Sequence, residues 1–499
     1  MARETWGKRG YFLFAALGSA IGLGNIWRFP HLAHSYGGGA FLICWMIGLI
    51  VLGIPWLMME FGIGRYFRSS APGAFAGVGK KWEWLGWWPC WIAFGIITYY
   101  SVVLAWAARY IAGSFTMAWG VGQAGAEAAG GFFFGDVLHL SGGPAEIGVP
   151  IMALVICLVI VWVVTFLVTF KGTKVIGPVS QYAMIIAWAF LIVLVIRGIT
   201  LPGAIDGLNY YLSTDLSQLA TRGVWFAAFS QIAFTLSLGM AGMIAYGSFV
   251  TKKGDINNNA VITSLGNCAT SFFAGFAVFS VVGFLMEALS VPVGEVSTSS
   301  VGLAFVSYPV AISMLPGANA FFGVVFFVAL FLLGLSSLYF LAYGGVIAPL
   351  MDKFGWGRTK TTLGVCIVAF VIGLLFTTPG GLYWGPDILD RAVAFYGLLI
   401  TGALGSLVVG WALPASKLRE HINETSDFKV GVWFDVMLKV IVPAGLLFVV
   451  IQGGFMSDIP ASYGGYPRWA SNVMWWVLIG TLILSFVMQG CKTRGSLGK

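Results

Sequence analysis

The segment from Gly18 to Pro30, GSAIGLGNIWRFP, places small and polar side chains in the middle of the first long apolar stretch. Glycine in a helix interior costs about 1 kcal/mol relative to alanine. Hydrocarbon cannot hydrogen-bond the backbone groups that a helix break releases, so such a break is tolerated at membrane depth only where it lines a cavity inside the protein. We therefore expect this segment to border a buried binding site.

A second interruption lies in the apolar stretch from residue 223 to residue 250. Its centre holds Thr235, Ser237, Gly239 and Gly242. Small residues are also common where membrane helices pack closely, so packing alone would explain either segment taken singly. Two interruptions in register, one with an Asn and the other with a Thr and a Ser, favour a binding site between them.

The ends of two broken helices would offer a defined chemistry. Helix N-termini carry about +0.5 charge and free N–H groups, which suit a carboxylate, whereas C-terminal carbonyl oxygens suit an alkali cation or an ammonium group. Neutral side-chain oxygens within the apolar spans come from Asn25, Thr235, Asn267, Ser336 and Ser337. Because hard cations prefer oxygen ligands, the residues predict sodium and a zwitterion rather than a soft metal.

The composition assigns these segments to a membrane protein. Of 499 residues, 59% are hydrophobic and 9% are charged, far from the usage of a soluble domain. Apolar runs of about 20 residues recur along the chain, and a large soluble core would need much more surface charge. We predict an all-α polytopic protein with twelve spans, at 10–35, 39–64, 86–116, 149–170, 174–196, 223–250, 258–287, 319–351, 360–377, 388–414, 433–453 and 469–489.

The charge pattern predicts topology rather than a nucleic-acid partner. The net charge is +8, but Lys and Arg concentrate in alternate loops, and the outer segment 110–148 has none. The positive-inside rule then places both termini in the cytoplasm. The six cysteines avoid the outer loops, so no extracellular disulfide is expected, and they show no zinc-ligand spacing. These features favour a prokaryotic plasma membrane, with a bacterial inner membrane as the expected location.

The order of the spans predicts one transmembrane domain, residues 1–499, built from an inverted repeat. Five spans in residues 1–196 start inside, so the five spans in residues 223–414 start outside and repeat the first half upside down. Two additional helices occupy residues 433–489. Inverted repeats of this kind place a substrate near the midplane, between two discontinuous helices. Both interruptions lie in the first span of a half, as this 5+5 arrangement requires.

Six motifs together resemble the neurotransmitter:sodium symporter family. The motifs are AIGLGNIWRFP at 20–30, GGGAF at 37–41, GIPWLMMEFGIGRY at 53–66, QIAFTLSLG at 231–239, NCATSFFAGF at 267–276 and GLSS at 334–337. The resemblance extends over nearly the whole chain. It implies a fold with helices 1 and 6 broken, and it implies a sodium-coupled symporter, not an enzyme, that imports its substrate by alternating access.

The resemblance also implies residues for two sodium ions and a substrate. The first sodium would bind at Ala20, Asn25, Thr235 and Asn267, with the substrate carboxylate completing its shell. The second would bind carbonyl and hydroxyl oxygens of Gly18, Ile21, Leu333, Ser336 and Ser337. The substrate pocket would be formed by Ala20, Leu23, Gly24, Ile96, Tyr100, Phe234, Thr235, Ser237, Met240, Ser337 and Leu341.

Gly22 bears on the substrate because it lacks a side chain. Monoamine transporters of the resembling family carry Asp at this position to meet an amine that has no carboxylate of its own, whereas glycine is similar to the amino-acid transporters. The expected substrate is a small neutral amino acid or a related zwitterion. Ile96, Met240 and Leu341 suggest an apolar wall for leucine-like or smaller side chains, and taurine or another ω-amino acid stays open.

A chloride site is implied by Ser271, which stands where chloride-independent bacterial members of the family have an acidic residue. Gln231, Thr235 and Asn267 match the other anion contacts. The departure is Trp45, where the family usually has Tyr. An indole N–H is a donor only, so it can face an anion, although the bulk of the ring can also displace the site. The resemblance therefore implies chloride-assisted transport.

Charged residues beside the membrane pathway resemble the gates of the family, and such groups are functional by default. Arg28 and Asp390 resemble the outer gate pair. Glu60 resembles a buried acid that braces the break in helix 1. The inner latch would consist of Arg3, Trp6 and Asp352.

Three other functions are weaker interpretations of the same residues. A proton-coupled amino-acid permease of the same fold is disfavoured by the paired oxygen sites and the lack of a mid-membrane Lys or His in the sequence. A polytopic membrane enzyme would need His, Cys and Asp together at one depth, which the sequence does not suggest, and a channel is the third alternative. The sequence leaves oligomeric state, ion stoichiometry and proton counter-transport open.

Overall fold

The structure, a computed structural model, describes residues 3–290, 292 and 300–497. Within these ranges the chain is helical, and the one strand-like pairing is an isolated bridge between Gly38 and Thr214. Apolar runs with few charges favour helices because hydrocarbon leaves backbone N–H and C=O groups no partners but each other. The predicted all-helical polytopic class is confirmed.

The first expected span is a bent pair of helices, α1 (Arg9–Ala20) and α2 (Gly24–Ser35), with a bend of 52° between them. The helices of the other expected spans are, in chain order, α3 (Gly39–Phe67), α4 (Lys80–Thr116), α5 (Met152–Thr169), α6 (Thr173–Ile199), α7 (Arg222–Thr235), α8 (Gly242–Ser248), α9 (Ile256–Ala288), α10 (Asn319–Phe354), α11 (Arg358–Thr377), α12 (Tyr383–Ala412), α13 (Trp433–Gly465) and α14 (Arg468–Gly490). Shorter helices connect them, at Ala71–Val78, Gly122–Gly131, Ala204–Leu212, Leu303–Met314 and Ala415–Asn423.

Ten of these helices, α3 to α6 and α9 to α14, are each long and apolar enough to cross a membrane, within the described residues. The bent pair α1 and α2 makes an eleventh candidate span. The sixth expected span, 223–250, is divided between α7 and α8, and neither is long enough to cross alone. The count of twelve spans therefore stays a prediction.

The interrupted helices lie inside the bundle. Helices α4, α10 and α12 are mostly buried around them, whereas α14 is mostly exposed. Outward faces of α5 and α6 carry apolar side chains such as Ile160 and Ile196, which suit hydrocarbon. Helix α8 approaches α3 so closely that a β-carbon at Gly64 would overlap the carbonyl oxygen of Ile244. The broken segments are thus held by neighbouring helices rather than by lipid.

Candidate substrate and ion site

The gap between α1 and α2 is held by the side chain of Asn25. The backbone leaves the helical path after Ala20, with Ile21 at φ −83° and ψ 90°. Asn25 Oδ1 accepts a hydrogen bond from the Gly22 N–H at 2.9 Å. A side-chain oxygen thus replaces one of the backbone partners that the break removes.

The gap between α7 and α8, residues 236–241, contains left-handed backbone. Ser237, Gly239 and Ala241 have φ of 51°, 69° and 61°, and the conformation is strained for the two with side chains. The Glu60 carboxylate accepts a hydrogen bond from the Gly239 N–H at 2.8 Å, and the Thr401 hydroxyl donates to the Gly239 carbonyl at 3.2 Å. The resemblance to the family implies that Glu60 braces the break between α1 and α2. In the structure, however, its carboxylate accepts a hydrogen bond from the break between α7 and α8.

Direct contacts join the two gaps to α10. The carbonyl oxygen of Ser19 accepts hydrogen bonds from Ser237 Oγ at 2.9 Å and from Ser337 Oγ at 3.1 Å. Gln231 Nε2 on α7 donates to the carbonyl oxygen of Gly24 at 3.3 Å. Both interrupted helices and α10 therefore converge on one buried position.

A buried polar cluster connects α2, α7 and α9. Asn25 Nδ2 donates to Asn267 Oδ1 at 2.8 Å and to Ser271 Oγ at 2.7 Å. Asn267 Nδ2 donates to Thr235 Oγ1 at 3.2 Å. These four side chains are at most 2% exposed. The structure thus places three residues predicted for the first sodium in one hydrogen-bonded cluster with Ser271, which is predicted for chloride. Ala20, the fourth sodium residue, ends α1.

Two of the residues predicted for the second sodium, Gly18 on α1 and Ser336 on α10, lie next to each other. A β-carbon at Gly18 would be in ordinary van der Waals contact with Ser336 Cβ, at 3.4 Å, so α1 and α10 are neighbours at this point. Ser336 Oγ accepts a hydrogen bond from the Tyr339 hydroxyl at 3.0 Å. Ile21 and Leu333, which are predicted to offer carbonyl oxygens, are both buried.

Several residues of the predicted substrate pocket surround the first gap. The Leu23 N–H donates to Tyr100 Oη at 3.4 Å. A β-carbon at Gly22 would lie 2.6 Å from Ser337 Oγ, and one at Gly24 would lie 2.7 Å from a ring carbon of Phe234. Larger residues would therefore displace their neighbours at either position. The remaining predicted pocket residues are also buried: Ala20, Ile96, Thr235, Ser237, Met240 and Leu341.

Arg28 covers the Phe234 ring at one side of this pocket. Its guanidinium carbon lies 4.7 Å from the ring centroid, and Nη1 donates to Gln231 Oε1 at 3.1 Å. Asp390 on α12 accepts a hydrogen bond from the Tyr99 hydroxyl. The ion pairs among the described residues do not include Arg28 with Asp390. Their assignment as a gate pair stays a prediction.

The segment before α1 closes one end of the bundle. Arg3 Nη1 forms an ion pair with Asp352 of α10 at 2.5 Å, and Arg3 Nη2 donates to Ser248 Oγ at 2.7 Å. Trp6 Nε1 donates to the carbonyl oxygen of Tyr246 at 3.2 Å. The structure thus brings Arg3 and Asp352, two residues of the predicted inner latch, into direct contact and joins Trp6 to α8.

The variant Asp352→Ala is expected to loosen this end of the bundle. The carboxylate is bound by Arg3 and by Ser70 Oγ at 2.6 Å, and a hydrogen bond to a charged group contributes about 1.5–3 kcal/mol. We expect amide hydrogen exchange in residues 9–20 to accelerate roughly tenfold or more. Hydrogen–deuterium exchange measures this, with Asp136→Ala at an exposed side chain as the control. Equal exchange in both variants would contradict the latch.

Trp45 is a buried hydrogen-bond donor without a partner among the residues that the structure describes. Its side chain is 1% exposed, and Nε1 makes no hydrogen bond. The ring centroid lies 4.7 Å from that of Phe29 on α2. Leaving a buried donor unpaired costs about 1–3 kcal/mol. Trp45 therefore has an N–H group available for a ligand.

Comparison with known proteins identifies the family of this chain. A model of the Sodium:neurotransmitter symporter family matches residues 3–129 and 121–493. The chain belongs to this family. An uncharacterized sodium-dependent transporter of Methanocaldococcus jannaschii is 38% identical over 496 residues, which cover 99% of both chains. A sodium-dependent dopamine transporter of Bos taurus is 33% identical over 508 residues, covering 95% of this chain and 72% of its own.

Membership of the symporter family gives the protein its general activity. The family consists of sodium-coupled secondary transporters, so the chain is a multi-pass membrane protein whose partners are sodium and a small-molecule substrate. The resemblance inferred from the six sequence motifs is thereby confirmed.

Three contacts of the symporter site do not follow from the sequence patterns. Ser19 contributes its backbone carbonyl oxygen, and a pattern of side chains does not indicate which carbonyl groups take part in a site. Its position between Gly18 and Ala20, two predicted sodium ligands, could have pointed to it. Tyr99 donates a hydrogen bond to Asp390. The resemblance to the family implied a role in the pocket for its neighbour Tyr100 and none for Tyr99. Ser248, at the end of α8, accepts a hydrogen bond from Arg3. Nothing in the sequence around this serine distinguishes it from any small residue near a helix end.

Proposed function

We propose that this symporter imports a small neutral amino acid or a related zwitterion together with sodium and chloride, by alternating access. The observation that carries the proposal is the buried cluster of Asn25, Thr235, Asn267 and Ser271, in which both interrupted helices meet α9. Neutral amide and hydroxyl oxygens suit sodium. The first ion binds there, with Ala20 supplying a carbonyl oxygen.

The substrate carboxylate completes the shell of the first sodium ion. Gly22 offers no side-chain charge, and a β-carbon there would lie 2.6 Å from Ser337 Oγ, so the negative charge must come from the substrate. The proposed substrate therefore carries a carboxylate and differs from dopamine, the amine in the name of the bovine relative. Uptake of taurine or another ω-amino acid is the alternative outcome of a substrate screen.

A second sodium ion binds between α1 and α10, at Gly18, Ile21, Leu333, Ser336 and Ser337. The position of Gly18 on α1 next to Ser336 on α10 supports this placement. An ion at this contact holds α1 against α10, so its release would free α1 to move. Binding of the ion is thereby linked to the conformation of the transporter.

The proposed architecture is one domain of twelve spans. Residues 1–196 and 223–414 form two inverted five-span repeats, and residues 433–489 add two helices. The interrupted pairs, α1 with α2 and α7 with α8, occupy corresponding places in the two repeats and support this division. The basic loops support cytoplasmic termini, and a bacterial inner membrane is the proposed location.

Chloride binds beside the first sodium ion. Its proposed contacts are Trp45, Gln231, Thr235, Asn267 and Ser271. The buried and unpaired indole N–H of Trp45 supports an anion here. The Ser271 hydroxyl donates to the Asn267 carbonyl at 3.4 Å, and it would turn from this long hydrogen bond to the anion.

The variant Asn25→Ala tests the sodium-coupled site. Removing one ligand of the ion and one hydrogen bond to the Gly22 N–H should weaken substrate and sodium binding together, by about 10- to 100-fold each, since a charge-assisted contact contributes about 1.5–3 kcal/mol. Reciprocal coupling requires each ligand to tighten the other. Radiolabelled substrate binding at graded sodium concentrations measures both effects.

Asn319→Ala is the matched control for Asn25→Ala. Asn319 Nδ2 donates to the carbonyl oxygens of Ile312, Ser313 and Leu315 at 2.6–3.0 Å, outside the ion cluster. This variant should melt at a lower temperature but keep the sodium dependence of binding. A wild-type protein that binds its substrate equally in sodium and in choline buffer would exclude the proposed function.

A further inference from the structure

The start of α4 carries an aromatic cluster that the transport site does not use. Residues 80–91 read KKWEWLGWWPCW, with five tryptophans. Two of them, Trp87 and Trp91, line a groove of about 770 Å³ between α4, the last turns of α10 and α11. Tryptophan is enriched where a membrane helix meets the headgroup region.

The walls of the groove are apolar over most of its length. Trp87, Phe94, Leu350, Val365 and Val368 contribute side chains from three helices. Val368 is 50% exposed and faces outward from the bundle. A groove of this composition on the outer surface of a membrane protein suits an acyl chain.

The mouth of the groove is positively charged. Lys360 lines it and is exposed, and it makes no hydrogen bond or ion pair with any residue that the structure describes. The neighbouring cations are compensated, since Lys353 pairs with Glu83 at 2.6 Å and Arg358 pairs with Glu4. Lys360 is therefore a cation at this mouth that no described acidic side chain compensates.

The start of α11 adds backbone donors beside Lys360. Gly357 precedes the first turn of α11, and no side chain caps that turn, so its N–H groups and the helix dipole favour an anion. Basic pockets between membrane helices at the cytoplasmic face are typical sites for anionic lipid headgroups.

We propose that this groove binds one anionic phospholipid from the adjacent leaflet. The phosphate lies at Lys360 and the Gly357 end of α11, and an acyl chain follows Trp87, Trp91 and Val365. The groove also contacts Leu350, on the same terminal turns of α10 as Asp352. A bound lipid therefore supports the segment that carries the latch carboxylate.

The test compares dioleoyl phosphatidylglycerol with dioleoyl phosphatidylcholine in detergent micelles containing the full chain. The thermal melting midpoint and the number of bound lipids, counted by native mass spectrometry, are measured together. The wild type should melt higher with phosphatidylglycerol and retain one such lipid. Lys360→Gln should weaken phosphatidylglycerol binding about fivefold, because a lysine near an anionic headgroup contributes about 1 kcal/mol.

Gly364→Leu blocks the groove without removing charge. A β-carbon at Gly364 meets no atom within 4 Å, so the leucine side chain enters the groove without disturbing the fold. This variant should lose the bound phospholipid. The matched controls are Lys417→Gln, another exposed lysine, and Gly480→Leu, another glycine with open space around it, and both should behave as wild type.

The outcomes separate the possible occupants of the groove. Equal binding of both lipids to the wild type would overturn the anionic headgroup. Retention of the lipid by Lys360→Gln and Gly364→Leu at wild-type affinity would overturn the location. A change of oligomeric state in Gly364→Leu, with the lipid count unchanged, would assign the groove to a second copy of this chain and overturn the proposal. Each result is independent of substrate, sodium and chloride.

Discussion

Replacement of Gly24 by leucine is expected to abolish substrate binding while leaving the protein folded. A β-carbon at Gly24 would lie 2.7 Å from Phe234 Cε1 and 3.1 Å from Cδ1, so the added side chain must displace the ring from the pocket. Phe234 in turn supports the Arg28 guanidinium at 4.7 Å. Overpacking of this kind costs about 1–3 kcal/mol, and displacing a pocket wall removes substrate contacts as well, so we expect a loss of at least about 100-fold in affinity.

The measurement is equilibrium binding of the proposed amino-acid substrate to purified protein, with thermal melting to establish folding. Gly10→Leu is the matched control, because a β-carbon at Gly10 in the same interrupted pair meets no atom within 4 Å. Gly24→Ala should give an intermediate loss, since it adds the β-carbon but not the branched end. Wild-type affinity in Gly24→Leu would remove Gly24 and Phe234 from the pocket.

The location of the first break could be predicted from the sequence because its residues are unsuited to a helix in hydrocarbon. Glycine and asparagine within an apolar run indicate a gap, and the structure has that gap between Ala20 and Gly24. The family could likewise be inferred, since its motifs are local and specific. Both predictions depend on short stretches of sequence, in which the residue types alone indicate a helix break or a family motif.

The partners of Asn25 could not be predicted from the residues alone. Its amide donates to Asn267 and Ser271, which lie 242 and 246 residues away in the chain. Only the packing of α9 against α2 creates these contacts, and no periodicity in either segment encodes the pairing. The resemblance implied Asn25 and Asn267 as ligands of one ion, but the hydrogen bond to Ser271, which joins the sodium and chloride predictions, required the structure.

The second break illustrates a different limit. Small and polar residues predict an interruption near Gly239, but not its form, because two of the three left-handed residues are Ser237 and Ala241. L residues with side chains seldom adopt that conformation. The segment is held here by hydrogen bonds from other helices to the backbone of Gly239, made by Glu60 on α3 and Thr401 on α12. Local sequence therefore indicates where a helix stops, and tertiary contacts decide which backbone path replaces it.

We expect chloride dependence because of the charge that the proposed site would accommodate. Two sodium ions carried into a low-dielectric interior are unfavourable unless negative charge accompanies them. The carboxylate of a zwitterionic substrate is largely balanced by its own ammonium group. The polar cluster of Asn25, Thr235, Asn267 and Ser271 has no ionised side chain, so an anion beside it offsets part of the excess positive charge.

The variant Ser271→Glu is expected to transport substrate without chloride. Ser271 Oγ lies 2.7 Å from Asn25 Nδ2, so a carboxylate introduced from this position is within reach of the amide that already donates to the serine. The fixed charge would then replace the anion. Uptake into proteoliposomes is measured with chloride or gluconate: wild-type uptake should fall about tenfold or more in gluconate, whereas Ser271→Glu uptake should be equal in both.

Two further variants separate charge from the shape of the site. Ser271→Ala removes the hydroxyl without adding charge, so its uptake should stay dependent on chloride. Trp45→Phe keeps an aromatic ring but removes the buried N–H that has no partner among the described residues. If that N–H binds the anion, the chloride concentration for half-maximal uptake should rise by about 10-fold, since a hydrogen bond to an ion contributes about 1.5–3 kcal/mol.

The indole of Trp45 decides between two arrangements of this part of the site. Its ring packs against Phe29 at 4.7 Å and occupies volume that the smaller tyrosine of relatives would leave free. If the ring fills the space of the anion, wild-type uptake will be the same in gluconate as in chloride, and Ser271 is then a packing residue of α9. If the N–H faces the anion, uptake will require chloride and Trp45→Phe will weaken its binding, because no other atom of that ring can donate the hydrogen bond.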